Sequence, residues 1–251
     1  MAVVLTRPQP EADRWAARLH ERGIASVVLP LLSILPPLDA EPLRRAVAAL
    51  PGYRAVMFVS ANAVQGFFAL QPDFSLPRAW APGPATRDAL LAAGVPAGRI
   101  DAPADDAAQF DSEHLWQLVA AQVHAGDRVL LVRGADAQGR SQGREWLAQQ
   151  LAARGVAIDT VAVYRRALPA WSEAERLLAR RCAVDGSVWL FSSSEAAANL
   201  AQLLPQQDWS RAQALATHPR IAQAVHALGF GHVGTSRPGH EEVVASIESR
   251  R

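Results

Sequence analysis

Six short turns in this chain carry residues that can hold an anion. They are Thr6-Arg7-Pro8, Ser60-Ala61-Asn62, Pro82-Gly83-Pro84, Arg133-Gly134, Ser192-Ser193-Ser194 and Thr217-His218-Pro219. Each follows a short apolar run and precedes an amphipathic stretch, where a strand ends and a helix begins. Backbone N–H groups at a helix start lack intrahelical partners and carry partial positive charge, so they attract carboxylates and phosphates. In open parallel sheets that same edge carries the binding crevice. Ser, Thr and Asn also cap helices anywhere in a protein, so one such turn says little. Six together point toward a polyanion, each charge-assisted bond contributing roughly 1.5–3 kcal/mol.

The turns need strands and helices to place them. Short apolar runs predict strands over residues 2–5, 26–32, 55–59, 79–81 and 99–102, then 129–132, 158–164, 188–191, 213–216 and 232–235. Helical patterns begin near Pro10, Glu41, Asn62, Thr86 and Ser112, and again near Gly143, Ser172, Ser194, Pro219 and Glu241. Strand–helix alternation of this kind predicts an α/β fold with parallel sheet covered on both faces. Trp15, Trp116 and Trp146 fall in the helices and read as packing anchors. Pro84 and Pro219 suit a first helical turn, and Gly94 and Gly229 suit left-handed helix ends.

The pattern occurs twice. The stretch opening VVLTRPQP is echoed from Arg128 by RVLLVRGA, YRAVMFVSANAV by GSVWLFSSSEAA, and WAPGPATRDALLAAGV by LATHPRIAQAVHALGF. The offset drifts little: 126 residues separate Arg7 from Arg133, 132 separate Ser60 from Ser192, and 135 separate Gly94 from Gly229. Two similar lobes with matching faces are expected, and two such lobes make a cleft. Two segments break the rhythm, LPLLSILPPL at residues 29–38 and VAVYRRALPA at 161–170. Both are longer than a strand needs and end at proline, so both read as extended linkers. If they lie together the chain crosses between lobes twice; composition equally permits a single cut near Gly126.

Composition narrows the classes. The 251 residues are 50% hydrophobic, enough for two cores of ordinary size. A formal net charge of +1 argues against a nucleic-acid stripe. Every cation is Arg, with no Lys at all. The lone Cys182 excludes an internal disulfide or a multi-thiolate metal site and reads as a buried small residue. Seven His residues are scattered without ligand spacing, so no metal is expected. No apolar run spans a bilayer and no leader-like segment opens the chain, which predicts a soluble, cytoplasmic protein without a membrane partner.

Several strings together carry a family resemblance: LTRP (residues 5–8), FVSANAV (58–64), LLVRG (130–134), GREWL (143–147), VYRR (163–166), FSSSEAAANL (191–200) and ATHPRIAQA (216–224). In this order and spacing the chain resembles uroporphyrinogen-III synthase, nearly end to end. The resemblance implies two flavodoxin-like parallel-sheet lobes joined by a two-stranded β-ladder. The lobes would comprise residues 1–33 with 169–251, and 38–163, with 34–37 and 164–168 as linkers. It implies a substrate in the cleft, no cofactor, and a monomer. The substrate would be a linear tetrapyrrole, hydroxymethylbilane, whose rings all bear acetate and propionate. Its terminal hydroxymethyl group loses hydroxide, the far pyrrole attacks to give a spiro intermediate, and the last ring inverts before closure. Because the bilane also cyclises unaided to the wrong isomer, the protein would mainly position it and exclude direct closure.

On the matched positions, Tyr164 is the catalytic candidate, a phenol able to protonate the departing hydroxyl. Its alternative is an aromatic strand end that merely packs. Ser60, Asn62, Gly83 and Thr86 would line one side, and Ser192, Ser193, Ser194, His218 and Pro219 the other, largely through backbone N–H groups. Arg7, Arg133, Gly134 and Arg144 complete the binding set. For Arg7 and Arg133, an internal ion pair that fixes the loop is the alternative to a substrate carboxylate. His218 precedes Pro at a helix start, which favours positioning over base chemistry.

One departure from the family is the insertion ADAQGRSQ between Gly134 and Gly143. It creates Gly134-x-x-x-x-Gly139-Arg140-Ser141, a phosphate-loop lookalike with Arg where Lys belongs. A flexible cleft-side loop is the competing reading. A noncatalytic two-lobed sensor of small anions, or a nucleotide-sugar transferase, would use similar architecture. The latter expects glycine-rich or acidic nucleotide contacts that do not occur here.

Overall fold

A computed structural model describes residues 1–69, 76–104, 112–140 and 146–250. The strands are β1 (Val3–Leu5), β2 (Ser26–Val28), β3 (Ser33–Leu35), β4 (Ala55–Phe58), β5 (Ala79–Trp80) and β6 (Ile100–Asp101). They continue with β7 (Arg128–Ala135), β8 (Ala157–Ala167), β9 (Val188–Phe191), β10 (Gln213–Ala216) and β11 (His232–Thr235). The helices of the first stretch are α1 (Gln9–Glu21), α2 (Glu41–Ala48), α3 (Ala61–Phe68), α4 (Pro84–Ala92) and α5 (Ser112–Val119). Those of the second are α6 (Trp146–Ala153), α7 (Glu173–Cys182), α8 (Ser194–Leu203), α9 (Pro219–Ala227) and α10 (His240–Glu248).

The chain divides into two compact units, one of residues Met1–Ser33 and Ala167–Arg251, the other Ile34–Arg166. The first holds a five-stranded sheet in the order β11-β10-β9-β1-β2, the second a six-stranded sheet in the order β3-β8-β7-β4-β5-β6. Set β7 beside β1, β8 beside β2, and β4, β5 and β6 beside β9, β10 and β11, and the two orders coincide. With the edge strand β3 set aside, both follow the 2-1-3-4-5 neighbour pattern of doubly wound sheets, whose order reverses between β1 and β9 and between β7 and β4. The first sheet thus combines two strands from the first half of the sequence with three from the second, the other sheet four from the first half with two from the second, and the Leu29–Ser33 stretch leaves one sheet at β2 to enter the other at β3. β8 continues through residues 164–165, where Tyr164 pairs with Gly134 and Arg165 with Ala135 along β7.

In the first unit, period-two alternation sends neighbouring residues of wholly apolar strands into opposite layers. Val3, Leu5, Val188 and Leu190 pack with Trp15, Leu19 and Ile247 of α1 and α10. Val4, Trp189 and Phe191 pack on the other face with Leu200, Ile221 and Phe230. Trp209 stacks on Phe230 at 4.9 Å and meets Trp189 edge-on at 5.2 Å. Two polar side chains buried among them are paired, as desolvation favours: Asn199 Nδ2 donates to the Leu31 carbonyl at 2.7 Å and Trp171 Nε1 to that of Pro30 at 3.0 Å. Cys182 ends α7, buried, with burial raising its thiol pKa.

The second unit repeats the layering. Val56, Phe58, Leu130 and Val132 join Phe67 and Leu90 on one face; Ala55, Met57 and Val129 join Leu115, Leu147 and Leu151 on the other. Trp116 and Trp146 pack, partly buried, against the latter cluster. Pro84 and Pro219 open their helices, and Gly94 and Gly229 follow helix ends at φ +85° and +90°, a region that costs an L side chain energy.

Candidate functional site

Alternation fails at one place. Val163 and Tyr164 are consecutive, yet both belong to the same apolar cluster. The cause is a bulge: Arg133 pairs with Ala162 but Gly134 with Tyr164, so Val163 is skipped. A bulge re-aims the side chain that follows it. Tyr164 is swung so that its ring lies across Gly134, where any side chain on Gly134 would overlap the ring carbons. The phenol then reaches past β7, and its Oη lies 3.5 Å from Ser60 Oγ, just beyond the end of β4. The β7/β4 boundary is where strand order reverses, the place such sheets leave open for ligands.

Other candidates of this unit gather on the same edge. Ser60 caps α3, its Oγ accepting the Ala63 N–H at 3.2 Å, and Asn62 is half-buried in the first turn. Gly83 caps α4 through its backbone alone. Thr86, in the first turn of α4, is 5% exposed and buried on the same side of the helix as Leu90. Arg133 and Tyr164 line a cavity of about 290 Å³ together with Gly134, Arg166 and Ser112. Its floor is apolar, with Met57, Leu131, Leu147 and Leu151. Arg166 was not singled out from the sequence, although VYRR places it two residues beyond Tyr164.

Within the first unit, β1, β9 and β10 are adjacent and parallel, so their three turns also share one edge. Thr6 is buried, its hydroxyl donating to the Leu190 carbonyl at 2.6 Å. Arg7 pairs with Glu11 and stands 4.7 Å from the Trp15 ring centre, which realises the internal ion pair. Ser193 caps α8, accepting the Glu195 N–H at 3.1 Å, while Ser194 Oγ is buried without a hydrogen-bond partner among the described residues. Ser192 precedes it, half-buried. His218 caps α9: Nδ1 accepts the Arg220 N–H at 3.1 Å, and Pro219 follows, exposed. A nitrogen committed to capping is not poised as a base.

The described part of the phosphate-loop lookalike, residues 134–140, closes on Asp136. Asp136 accepts the N–H groups of Gln138 at 3.0 Å and Arg140 at 2.9 Å, and also the Arg140 Nε–H at 3.0 Å. Those bonds, the Arg140 amide foremost, hold the Asp136 carboxyl below the usual range. The amides of Gln138, Gly139 and Arg140 are thus all occupied by Asp136. Ser141, Gly143 and Arg144 lie outside the described residues. Among the described residues no group of three or more His, Cys, Asp or Glu is placed to hold a metal ion. Among them also, no helix is long and apolar enough to cross a membrane.

Residues 13–245 match the family model described as Uroporphyrinogen-III synthase HemD. The chain belongs to the uroporphyrinogen-III synthase family. It is 32% identical over 217 residues to the uroporphyrinogen-III synthase of Synechococcus elongatus, covering 83% of this chain and 77% of that protein. It is 30% identical over 240 residues to that of Salmonella typhimurium, covering 92% of each. The solved synthase of Helicobacter pylori aligns with TM-score 0.54 at 16% identity over 100% of this chain and 99% of that one. A mutant synthase from Thermus thermophilus gives 0.53 at 17% identity, over 99% of this chain and 98% of that one. At such identities these two structures speak for the α/β fold alone. Family membership makes the chain an enzyme of tetrapyrrole biosynthesis, a cyclising lyase of the uroporphyrinogen-III synthase type.

Proposed function

We propose that the chain cyclises hydroxymethylbilane to uroporphyrinogen III with inversion of the last pyrrole ring, and that Tyr164 is its proton donor. The single observation supporting that role is the bulge that turns Tyr164 across Gly134 to the β7/β4 boundary. There the phenol can hand its proton to the departing hydroxyl, so that the group leaves as water. The pyrrole carbon that closes the ring later releases a proton, which restores the phenol. Much of the remaining chemistry is the bilane's own, and the protein contributes orientation and exclusion of direct closure.

The acetate and propionate groups are assigned to helix-start amides after Ser60 and Gly83, and to the guanidinium of Arg133. The edge formed by Ser192–Ser194 and His218-Pro219 offers amides of the same kind. Arg7 is assigned to loop fixation, given its pairing with Glu11. The common strand order and the spacing of the repeated strings support two flavodoxin-like lobes from one duplicated unit, with β3 beside β8 as the connecting ladder. We take the enzyme to work as a single chain in the cytoplasm.

The test is product analysis. With hydroxymethylbilane supplied, porphyrins separated after oxidation should contain isomer III only when the protein is present. Isomer I alone, at the unassisted rate, would overturn the reading and favour an anion sensor.

A further inference from the structure

Two glycines on different elements pinch the bulge that aims Tyr164. Gly66 stands in the middle of α3, where glycine costs about 1 kcal/mol relative to alanine and calls for a reason. The reason is close approach: a methyl at Gly66 would stand 2.6 Å from the Val163 carbonyl oxygen and 3.1 Å from its Cγ2. Val163 is the residue the ladder skips. From the other side, a methyl at Gly134 would collide with the Tyr164 ring and lie 2.7 Å from its Oη. So α3 receives the extruded Val163 peptide, and β7 leaves bare the strip of backbone on which the ring rests. Neither fit is replaceable by rotation of a flexible side chain, because the opposing atoms are backbone at Gly66 and an aromatic ring on a buried residue at Gly134.

We propose that Gly66 and Gly134 are positioning residues for the reaction, holding the Tyr164 phenol at the β7/β4 boundary beside Ser60. The proposal rests on the reading of Tyr164 as the proton donor, and its test separates the two. The chain contains only two tyrosines, Tyr53 and Tyr164, so uniform labelling with meta-fluorotyrosine gives two fluorine resonances, assigned with Tyr53→Phe. Gly66→Ala and Gly134→Ala should each shift the Tyr164 line and leave that of Tyr53 in place. Gly98→Ala, where an added methyl meets nothing within 4 Å, should shift neither.

Turnover supplies the second arm. Gly66→Ala is expected to lower kcat by about tenfold or more, as misplacement of a reacting group by about 1 Å does. In a Tyr164→Phe background the same change should cost less than about twofold, because residues acting through one another are not additive. A Tyr164 line unmoved in both glycine variants, a Tyr53 line that moves equally, or a Gly66 effect that multiplies fully with Tyr164→Phe overturns the proposal. Should one glycine variant fail to fold, the other, on a separate element, carries the fluorine arm. A Tyr164→Phe enzyme with full turnover would sink the proton-donor reading, and the fluorine lines would still decide whether the glycines place the ring.

Discussion

Tyr164 Oη and Ser60 Oγ lie 3.5 Å apart although 104 positions separate them in the chain. The Ser60 hydroxyl oxygen already accepts the Ala63 N–H, so it holds the end of α3 and faces the phenol at once. Replacing Tyr164 with Phe removes the acid and leaves the ring. We expect kcat for isomer III to fall by about tenfold to a hundredfold, the low end for a general acid, with KM little changed. Initial rates with isomer separation check it; an unchanged kcat would assign the phenol to packing.

Ser60→Ala removes a helix cap and should cost about 1 kcal/mol of stability, whereas Ser60→Gly should cost only a few tenths. Urea midpoints at constant slope distinguish the two. Equal losses would mean that the hydroxyl does not cap α3 in solution.

The His218 cap makes a parallel case in the other unit. His218→Asn keeps a side-chain acceptor for the Arg220 N–H and should retain most of the stability. His218→Ala should lose about 1 kcal/mol. If the Asn variant loses as much turnover as the Ala variant while keeping its stability, the imidazole itself meets the substrate.

Far from the carboxyl edge, Tyr53 donates to Asp159 Oδ2 at 2.8 Å, and Arg128 reaches the same oxygen at 2.5 Å. Burial, followed by the bond to Asp159, pushes the Tyr53 phenol up to about 12. The bond from Tyr53, then Arg128, lowers the Asp159 carboxyl below its ordinary value. A raised phenol contributes stability that is complete below its unfolded pKa of about 10 and fades as pH rises toward the folded value. A lowered carboxyl contributes stability above about pH 3.9 that is lost as pH falls through its folded value. Tyr53→Phe should therefore abolish the alkaline decline and weaken the acidic one. Denaturation midpoints across pH, with tyrosinate absorbance, measure both; an alkaline decline that persists in Tyr53→Phe would refute the assignment.

Asn199 is buried with its amide on the Leu31 carbonyl. Asn199→Ala strands that carbonyl and should cost about 1–3 kcal/mol. A loss within a few tenths of zero, read from urea unfolding, would show that water or a rearranged backbone takes over the bond.

How much was legible depended on the distance over which each feature is decided. VWLF, QALA and HVGT announced β9, β10 and β11 to the residue, because each is too short for a helix and lies between turn signals in a repeating strand–helix order. The caps at Ser60, Ser193 and His218 were readable too, since a cap depends on amides two or three positions away. The burial of Thr86 was not legible, because which face of α4 turns inward is set by the layer it packs against and not by the local string.

Sequence alone therefore determined most of the elements, though not β3 within the stretch read as a linker, along with their order and the string matches that mark the family, all being local or periodic properties. Tertiary structure decided which half lends which strands to each sheet, and where Tyr164 points. The latter hangs on one skipped residue in a ladder. Register there follows from how closely Gly66 and Gly134, remote in sequence and silent as motifs, let other backbone and an aromatic ring approach.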